Sequence, residues 1–168
     1  SGKGSLHVWH DQKTILQPIN IETSPHPGFM TDWQQPFSVL LTQAEGVSYV
    51  HETVHLSRFG YTVELNRMGA KISLITPTEA GFAVKVSDDD YDLKTMGEPS
   101  TVAKITGPTG LRGKKMQIPD LRAGATIVLA ALLAEGKSEI YGVDQIDRGY
   151  ENFDLKLKSL GARIERVE

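Results

Sequence analysis

The sequence of 168 residues contains no cysteine. This absence excludes a disulfide framework, a thiolate nucleophile and a cysteine-based metal site, and it fits a cytosolic protein. No apolar run approaches the ~20 residues that span a bilayer, and no basic segment followed by an apolar one opens the chain. Ser1 to Gly4 resemble an expression scar or a linker, so residues 5–168 are expected to form a single domain.

The sequence also has fewer basic than acidic residues. Lysine and arginine total 18 against 21 aspartates and glutamates, which gives a formal net charge of -3. Such a balance provides no general attraction for nucleic acid or an anionic membrane, so we expect neither as a partner. Any anion must therefore be bound by a few well-placed arginines.

Two stretches of the chain, residues 31–75 and 119–167, repeat the same order of features. Each runs aspartate, helix, Ala-Glu-Gly, strand, arginine, helix, Gly-Ala, strand. Residues 46–58 and 136–148 each lead from a glycine to an arginine over twelve positions. Repetition in this order predicts one α/β domain built from a duplicated strand and helix unit.

The first predicted helix begins at Thr31, which together with Gln34 fits a capping box, and it ends at Gly46. A proline disturbs a helix interior because it lacks the backbone N–H group. Pro36 therefore favours a regular helix that starts nearer Gln35.

Three further helices are predicted. Residues 121–135 are apolar almost all round, which is typical of a helix buried within a fold. Residues 62–68 and 151–160 are followed or closed by Gly69 and Gly161, where a left-handed cap favours glycine. The last helix is expected to bury Phe153, Leu157 and Leu160 and to expose Lys156 and Lys158.

Alternating and β-branched residues predict the strands. They cover residues 48–54, 72–76, 81–86, 101–106, 115–118, 139–143 and 162–167. Residues 88–90 and 96–99 have the composition of exposed turns.

Several motifs together resemble a known family. They are Pro-His-Pro-Gly-Phe-Met-Thr-Asp at 25–32, Glu-Thr-Val at 52–54 with Arg-Phe at 58–59, Arg-Met-Gly-Ala at 67–70, Asp-Leu-Arg-Ala at 120–123 and Ile-Asp-Arg-Gly-Tyr-Glu at 146–151. In this order they are similar to the signature segments of the C-terminal half of UDP-N-acetylglucosamine enolpyruvyl transferases. The sister family that acts on shikimate 3-phosphate shares the fold, but residues 28–32 and 146–151 resemble the sugar-nucleotide branch.

The resemblance implies an inside-out α/β barrel, in which parallel helices are enclosed by small sheets. Family members have two such domains, and their substrates, UDP-N-acetylglucosamine and phosphoenolpyruvate, bind in the cleft between them. The 3-hydroxyl of the sugar attacks C2 of phosphoenolpyruvate, C3 gains a proton, and phosphate leaves. The resemblance implies neither a cofactor nor a metal ion.

By resemblance, Asp32 is the carboxylate that contacts or deprotonates the attacking hydroxyl, and Val54 offers its backbone to the sugar nucleotide. A positioned carboxylate that accepts this proton contributes roughly 10²–10⁴-fold to such a step. From the residues alone, Asp32 and Asp120 also fit helix N-terminal caps, since carboxylates suit the positive end of a helix.

Four more positions follow from the resemblance: Arg58 and Arg148 bind phosphoenolpyruvate, while Asp120 and Arg122 lie at the cleft. Guanidinium groups form paired hydrogen bonds with phosphate and carboxylate, which suits this substrate. A shared structural role for Arg58 and Arg148, which occupy equivalent places in the two repeats, stays open. Arg122 alternatively covers the core with its stem while its charge reaches water.

The family's other domain supplies a Lys-Asn pair, most of the uridine pocket and a flexible loop. In that loop a cysteine, or an aspartate in some members, acts as the acid. None of these is found here, so we expect the chain to require that N-terminal domain as a partner and to be inactive alone. The alternative is a non-catalytic domain that binds sugar nucleotides or anions on the same scaffold.

The segment His51-Glu52-Thr53-Val54-His55 matches the zinc protease pattern H-E-x-x-H. That site requires a helix, whereas this segment has the composition of a strand. On a strand the histidines lie ~13 Å apart, at ~3.3 Å per residue, too far for two zinc bonds of ~2 Å. We therefore interpret them as ordinary strand residues.

Residues 107–114 resemble a phosphate-binding loop, but the glycine spacing is wrong and neither serine nor threonine follows Lys114. A hairpin turn is the preferred interpretation. Trp33 and Tyr150 are expected to pack in the core or at the rim rather than to stack on a substrate.

Overall fold

The computed structural model describes residues 11, 13–86 and 91–167. Both the opening Ser1 to Gly4 and the predicted turn at 88–90 lie outside these residues. In chain order the elements are β1 (Asn20–Glu22), α1 (Thr31–Leu41), β2 (Gly46–His51), α2 (Tyr61–Met68), β3 (Lys71–Ile75), α3 (Pro77–Ala80), α4 (Leu93–Met96), β4 (Val102–Gly107), β5 (Lys115–Gln117), α5 (Leu121–Leu133), β6 (Glu139–Tyr141), α6 (Asp144–Asp147) and α7 (Phe153–Ser159).

The strands form two small open sheets. The larger has the order β1-β2-β4-β3, with β1 parallel to β2 and β4 antiparallel to both β2 and β3. The smaller pairs β5 with β6 in parallel. The predicted α/β class with helices and small sheets is confirmed, although the described residues do not form a closed barrel.

Helix α5 is the central helix of the molecule. It packs against α1, α2 and α6, and its residues from Ala123 to Val128 are buried together with Ala130. The predicted burial of this helix is confirmed for that part, but Leu132 and Leu133 near its end are 37% and 54% exposed. In the part of the chain that the structure describes, no helix is long and apolar enough to cross a membrane.

The start of α1 differs from the prediction. Thr31 does not form a capping box with Gln34, because Met30 takes the N-cap position and the Thr31 hydroxyl accepts from Arg58 instead, while it donates to the buried carboxylate of Glu52. The helix also begins at Thr31 and not at Gln35, so that Pro36 lies inside it. The missing N–H group of this proline leaves the Asp32 carbonyl without the usual helical donor.

The second helices of the two halves follow the prediction more closely. Helix α2 ends at Gly69, which has φ +112° and therefore the left-handed conformation that favours glycine. Helix α7 is shorter than predicted, and Leu160, expected to be buried, is 84% exposed just beyond its end. The lysines Lys156 and Lys158 are exposed as expected.

Two predicted strands are wrong. Residues 81–86 form no strand, and the Phe82 ring packs against Tyr49 and His51. Residues 162–167 also form none, and the segment is held by Arg166, whose guanidinium contacts the α6–α7 region through ion pairs. The second half of the chain therefore lacks the closing strand that β3 provides in the first.

Residues 107–114 form neither a hairpin nor a phosphate loop. Strands β4 and β5 belong to different sheets, so the segment crosses from one sheet to the other. Its amides bond to the fold itself: Thr109 donates to the Thr42 carbonyl, Arg112 to Met68 and Gly113 to Glu135. The predicted hairpin is therefore wrong.

Candidate functional site

Three side chains predicted to serve the site meet at one oxygen atom. Asp32 lies in the first turn of α1, Arg58 follows β2 in the loop before α2, and Arg122 lies in the first turn of α5. The Oδ1 atom of Asp32 accepts hydrogen bonds from Arg58 Nη1 at 2.7 Å and from Arg122 Nε at 2.5 Å. Contact between α1 and α5 brings the two repeats together at this point.

The electrostatics of this cluster favour the ionised carboxylate. The Arg122 guanidinium, and after it that of Arg58, lowers the pKa of Asp32, while partial burial opposes the shift. The Asp32 side chain is 55% exposed, so a ligand can reach it. In this state Asp32 is a charged group open to solvent.

Arg58 is held from both its backbone and its side chain. The buried Gln34 of α1 donates to the Arg58 carbonyl at 3.0 Å, and Arg58 Nη1 donates to the Thr31 hydroxyl at 3.1 Å. Its side chain is only 18% exposed. Arg58 is therefore fixed in direction before any ligand binds.

The backbone of Val54 is partly occupied. Its amide donates to Glu52 Oε1 at 2.8 Å, in a turn that also directs the His55 amide to the same oxygen at 3.0 Å. A ligand at Val54 therefore meets the carbonyl oxygen, which accepts hydrogen bonds such as those of sugar hydroxyls.

Asp120 caps α5. Its Oδ1 atom accepts the amides of Arg122 and Ala123, each at 2.9 Å, and its side chain is exposed. The helix-cap interpretation is therefore confirmed for Asp120, and the cap orients the turn that carries Arg122. A direct role at a cleft stays a prediction.

Arg148 is the predicted arginine that the structure does not bring into the cluster. It follows α6 and is exposed, and among the described residues its guanidinium forms no ion pair with Asp32. Its neighbour Gly149 nevertheless packs at the start of α5, where an added Cβ would lie 2.8 Å from Leu121. The backbone of Arg148 thus lies near the helix end that carries Arg122.

The histidines of the zinc protease pattern do not share a helix. His51 ends β2, is fully buried and directs Nδ1 to Glu22 at 3.0 Å, and burial lowers its pKa. His55 is exposed in the following turn. The interpretation of both histidines as ordinary strand residues agrees with this geometry for His51, whereas His55 lies beyond the strand.

Sequence reasoning missed the buried polar residues beneath the cluster. Thr31 and Glu52 support Arg58, and Gln34 is hydrogen-bonded to Tyr61, which also pairs with Ser38. A signal was present, because Glu52 is a charged residue within the strand predicted at 48–54.

The two aromatic residues near the motifs lie at the rim. Trp33 packs edge-on against Phe29, and Tyr150 packs against Phe153 at a tilt. Both are partly exposed, which agrees with the predicted rim packing.

Comparisons with known proteins agree with the motifs. Residues 4–157 match the family model of EPSP synthase (3-phosphoshikimate 1-carboxyvinyltransferase). A UDP-N-acetylglucosamine 1-carboxyvinyltransferase from Protochlamydia amoebophila is 49% identical over 89% of this chain and 30% of its own length. The corresponding protein from Chlamydia trachomatis serovar D is 46% identical over 96% of this chain and 35% of its length.

A solved structure supports the fold. The crystal structure of the enolpyruvyl transferase NikO from Streptomyces tendae matches with a TM-score of 0.72 at 26% identity. This match covers 92% of the present chain and 30% of the other. The chain thus spans about a third of the length of the curated relatives it matches. The predicted resemblance to enolpyruvyl transferases is confirmed.

Proposed function

The chain belongs to the family of EPSP synthase (3-phosphoshikimate 1-carboxyvinyltransferase), and from this premise we propose that it forms part of a UDP-N-acetylglucosamine enolpyruvyl transferase. The proposed reaction is the first committed step of peptidoglycan synthesis. Its support is one observation, namely that Asp32, Arg58 and Arg122 converge on a single carboxylate oxygen.

The proposed reaction transfers the enolpyruvyl group of phosphoenolpyruvate to the 3-hydroxyl of the sugar. The hydroxyl oxygen bonds to C2 while its proton passes to a base, and C3 gains a proton to give a tetrahedral intermediate. Loss of phosphate from C2 and of a proton from C3 restores the double bond. The enzyme must therefore accept the hydroxyl proton, supply a proton to C3 and take one back from C3. It must also stabilise an anion with two charged groups.

Asp32 suits the role of the base. Both arginines donate to Oδ1, and among the described residues Oδ2 accepts no hydrogen bond. Oδ2 is therefore the oxygen that can accept the hydroxyl proton. The arginines lower the pKa of Asp32, so the carboxylate is ionised but weakly basic, and it accepts the proton late in the step.

The arginines suit the anion. Arg58, Arg122 and Asp32 together leave one excess positive charge in a chain whose formal net charge is -3. Guanidinium groups bind phosphate and carboxylate through paired hydrogen bonds. We assign Arg58 and Arg122 to this anion, and Arg148 joins them when its side chain turns toward the start of α5.

The remaining length of the enzyme is proposed as the partner. The Asp32 side chain is 55% exposed, so water has free access to the site in this chain. Transfer through a charged intermediate benefits from fixed dipoles in a closed site. We therefore expect this chain alone to bind anions without turnover, and the other domain to close the cleft over the substrates.

The test is phosphate release by the full-length protein that contains this chain, with phosphoenolpyruvate and UDP-N-acetylglucosamine both present. We expect release to require both substrates, and Asp32→Asn to lower kcat by roughly 10²–10⁴-fold. The matched control is Glu139→Gln, which removes an exposed carboxylate paired with Lys115 and should leave kcat unchanged.

Three outcomes count against the proposal. Release with shikimate 3-phosphate in place of the sugar nucleotide would assign the chain to the sister activity. Unchanged kcat in Asp32→Asn would remove the proposed base. Calorimetric binding of both ligands without release of phosphate would favour a non-catalytic binding domain. This alternative function is consistent with the structure, because all three side chains of the Asp32 cluster belong to this chain.

A further inference from the structure

Glu52 is a fully buried carboxylate that accepts hydrogen bonds from four donors. Its Oε1 atom accepts the Thr23 hydroxyl at 2.9 Å and the amides of Val54 and His55 at 2.8 and 3.0 Å. Its Oε2 atom accepts the Thr31 hydroxyl at 2.7 Å. Acceptance from every partner is the pattern of an ionised carboxylate, whose burial is costly without such donors.

The two oxygens of Glu52 serve different purposes. Both amides of the turn after β2 bond to Oε1, so this oxygen suffices to close the turn. Oε2 contacts Thr31, the residue next to Asp32, and contributes nothing to the turn. The second oxygen therefore connects the turn to α1 through the side chain of Thr31.

The Thr31 hydroxyl links this oxygen to Arg58. A hydroxyl has one hydrogen, which Thr31 donates to Glu52, so its lone pairs are left for Arg58 Nη1 at 3.1 Å. The same Nη1 donates its other hydrogen to Asp32 at 2.7 Å. Glu52 thus orients the hydroxyl, the hydroxyl accepts from the guanidinium, and the guanidinium is aimed at Asp32.

We propose that Glu52 and Thr31 are positioning residues that hold Arg58 by its Nη1 end, so that the rest of the guanidinium is set in the direction required to bind the anionic substrate. This inference rests on the proposed function for the identity of the anion. The locking itself depends only on the hydrogen bonds of the four side chains. It can therefore be tested separately from catalysis.

The variant that tests the link is Thr31→Val, which keeps the shape of the side chain and removes the hydroxyl. Guanidinium ¹⁵N NMR of the chain should show faster rotation at the Arg58 Nη1 end. Calorimetry with phosphoenolpyruvate should show about tenfold weaker binding, since a hydrogen bond to a charged group is lost. Thr31→Ser, which restores the hydroxyl, should recover both values.

The matched control is Thr42→Val at the other end of α1. Thr42 is fully buried where Thr31 is half-buried, and it donates its hydroxyl to the Val39 carbonyl at 2.7 Å, but it does not contact the Asp32 cluster. This variant should lower the melting temperature and change neither the Arg58 signal nor the affinity. An equal effect of Thr42→Val on both would show that general loosening of α1 is responsible, and would overturn the proposal.

Glu52 is tested through a double-mutant cycle. Glu52→Gln should weaken phosphoenolpyruvate binding, and combining it with Thr31→Val should weaken it no further than Thr31→Val alone. Should Glu52→Gln fail to fold, the comparison of Thr31→Val with Thr31→Ser still tests the positioning role. Unchanged Arg58 rotation in Thr31→Val refutes the positioning role. Absence of phosphate release from the unaltered full-length protein refutes the proposed function instead and leaves the NMR result standing.

Discussion

Arg122 Nε lies 2.5 Å from Asp32 Oδ1, although 90 positions separate the two residues in the chain. Each residue occupies the first turn of a helix, where the positive helix end favours Asp32 and disfavours Arg122. The pair therefore relieves an unfavourable charge at the start of α5. It also means that an incoming anion competes with the protein's own carboxylate for the arginines.

This competition predicts that Asp32→Asn tightens anion binding while it lowers kcat. The two guanidinium groups lose their internal anion, so phosphoenolpyruvate should bind about 2- to 5-fold more tightly, the range expected for exposed ion pairs. Calorimetry at low and high salt measures the effect, which salt should reduce. Glu64→Gln, which disturbs the pair with Arg67 outside the Asp32 cluster, is the control. Weaker binding in Asp32→Asn would show that the carboxylate orients the arginines rather than competing with the ligand.

The same pair predicts the pH dependence of Asp32. Its folded pKa is lowered from 3.8, first by Arg122 and then by Arg58, so its contribution to stability is present above the unfolded pKa. That contribution is lost as the pH falls through the lower folded pKa. Carboxyl ¹³C NMR should therefore give a midpoint below 3.8, and Arg122→Gln should raise it more than Arg58→Gln does. A midpoint at or above 3.8 in the unaltered chain would contradict the ion pairs.

Periodic apolar residues and glycines were sufficient to predict α2 and α5. Their signals are local, since Gly69 ends α2 through its own backbone conformation and the apolar circumference of α5 predicts its burial. The motif residues Asp32, Arg58 and Arg122 were also predicted, and the structure brings them together. Their catalytic roles stay predictions.

Features that depend on distant partners could not be predicted. The hydroxyl of Thr31 had a plausible local acceptor role in a capping box, but it accepts instead from Arg58, 27 positions away, and donates to Glu52, 21 positions away. Phe82 lies in a segment with strand composition, yet its ring packs on His51. In both cases a tertiary contact overrides a local preference.

Tyr61→Phe is predicted to destabilise the layer beneath the cluster. The Tyr61 hydroxyl is fully buried, donates to Gln34 at 3.1 Å and pairs with Ser38 at 2.8 Å. Its removal leaves a buried amide oxygen short of a donor, which costs about 1–3 kcal/mol. Urea unfolding measures the loss. Tyr141→Phe, at a half-exposed tyrosine that contacts Glu139, should change stability little; an equal loss there would contradict the prediction.

The contact between α5 and α6 is predicted to depend on the absence of a side chain at Gly124. A Cβ at this position would lie 2.8 Å from Ile118 and 2.9 Å from Ile146, so Gly124→Ala forces the helices apart and should cost about 1–3 kcal/mol. Gly60→Ala is the matched control, because its Cβ meets nothing within 4 Å and its φ of -54° suits alanine. We expect it to raise the free energy of unfolding by about 0.4–1 kcal/mol.

The same two variants test the place of Arg148. Since Arg148 follows α6, Gly124→Ala should also weaken phosphoenolpyruvate binding, whereas Gly60→Ala should not. Equal affinities in the two variants would show that the position of α6 does not matter to the anion, and would remove Arg148 from the site.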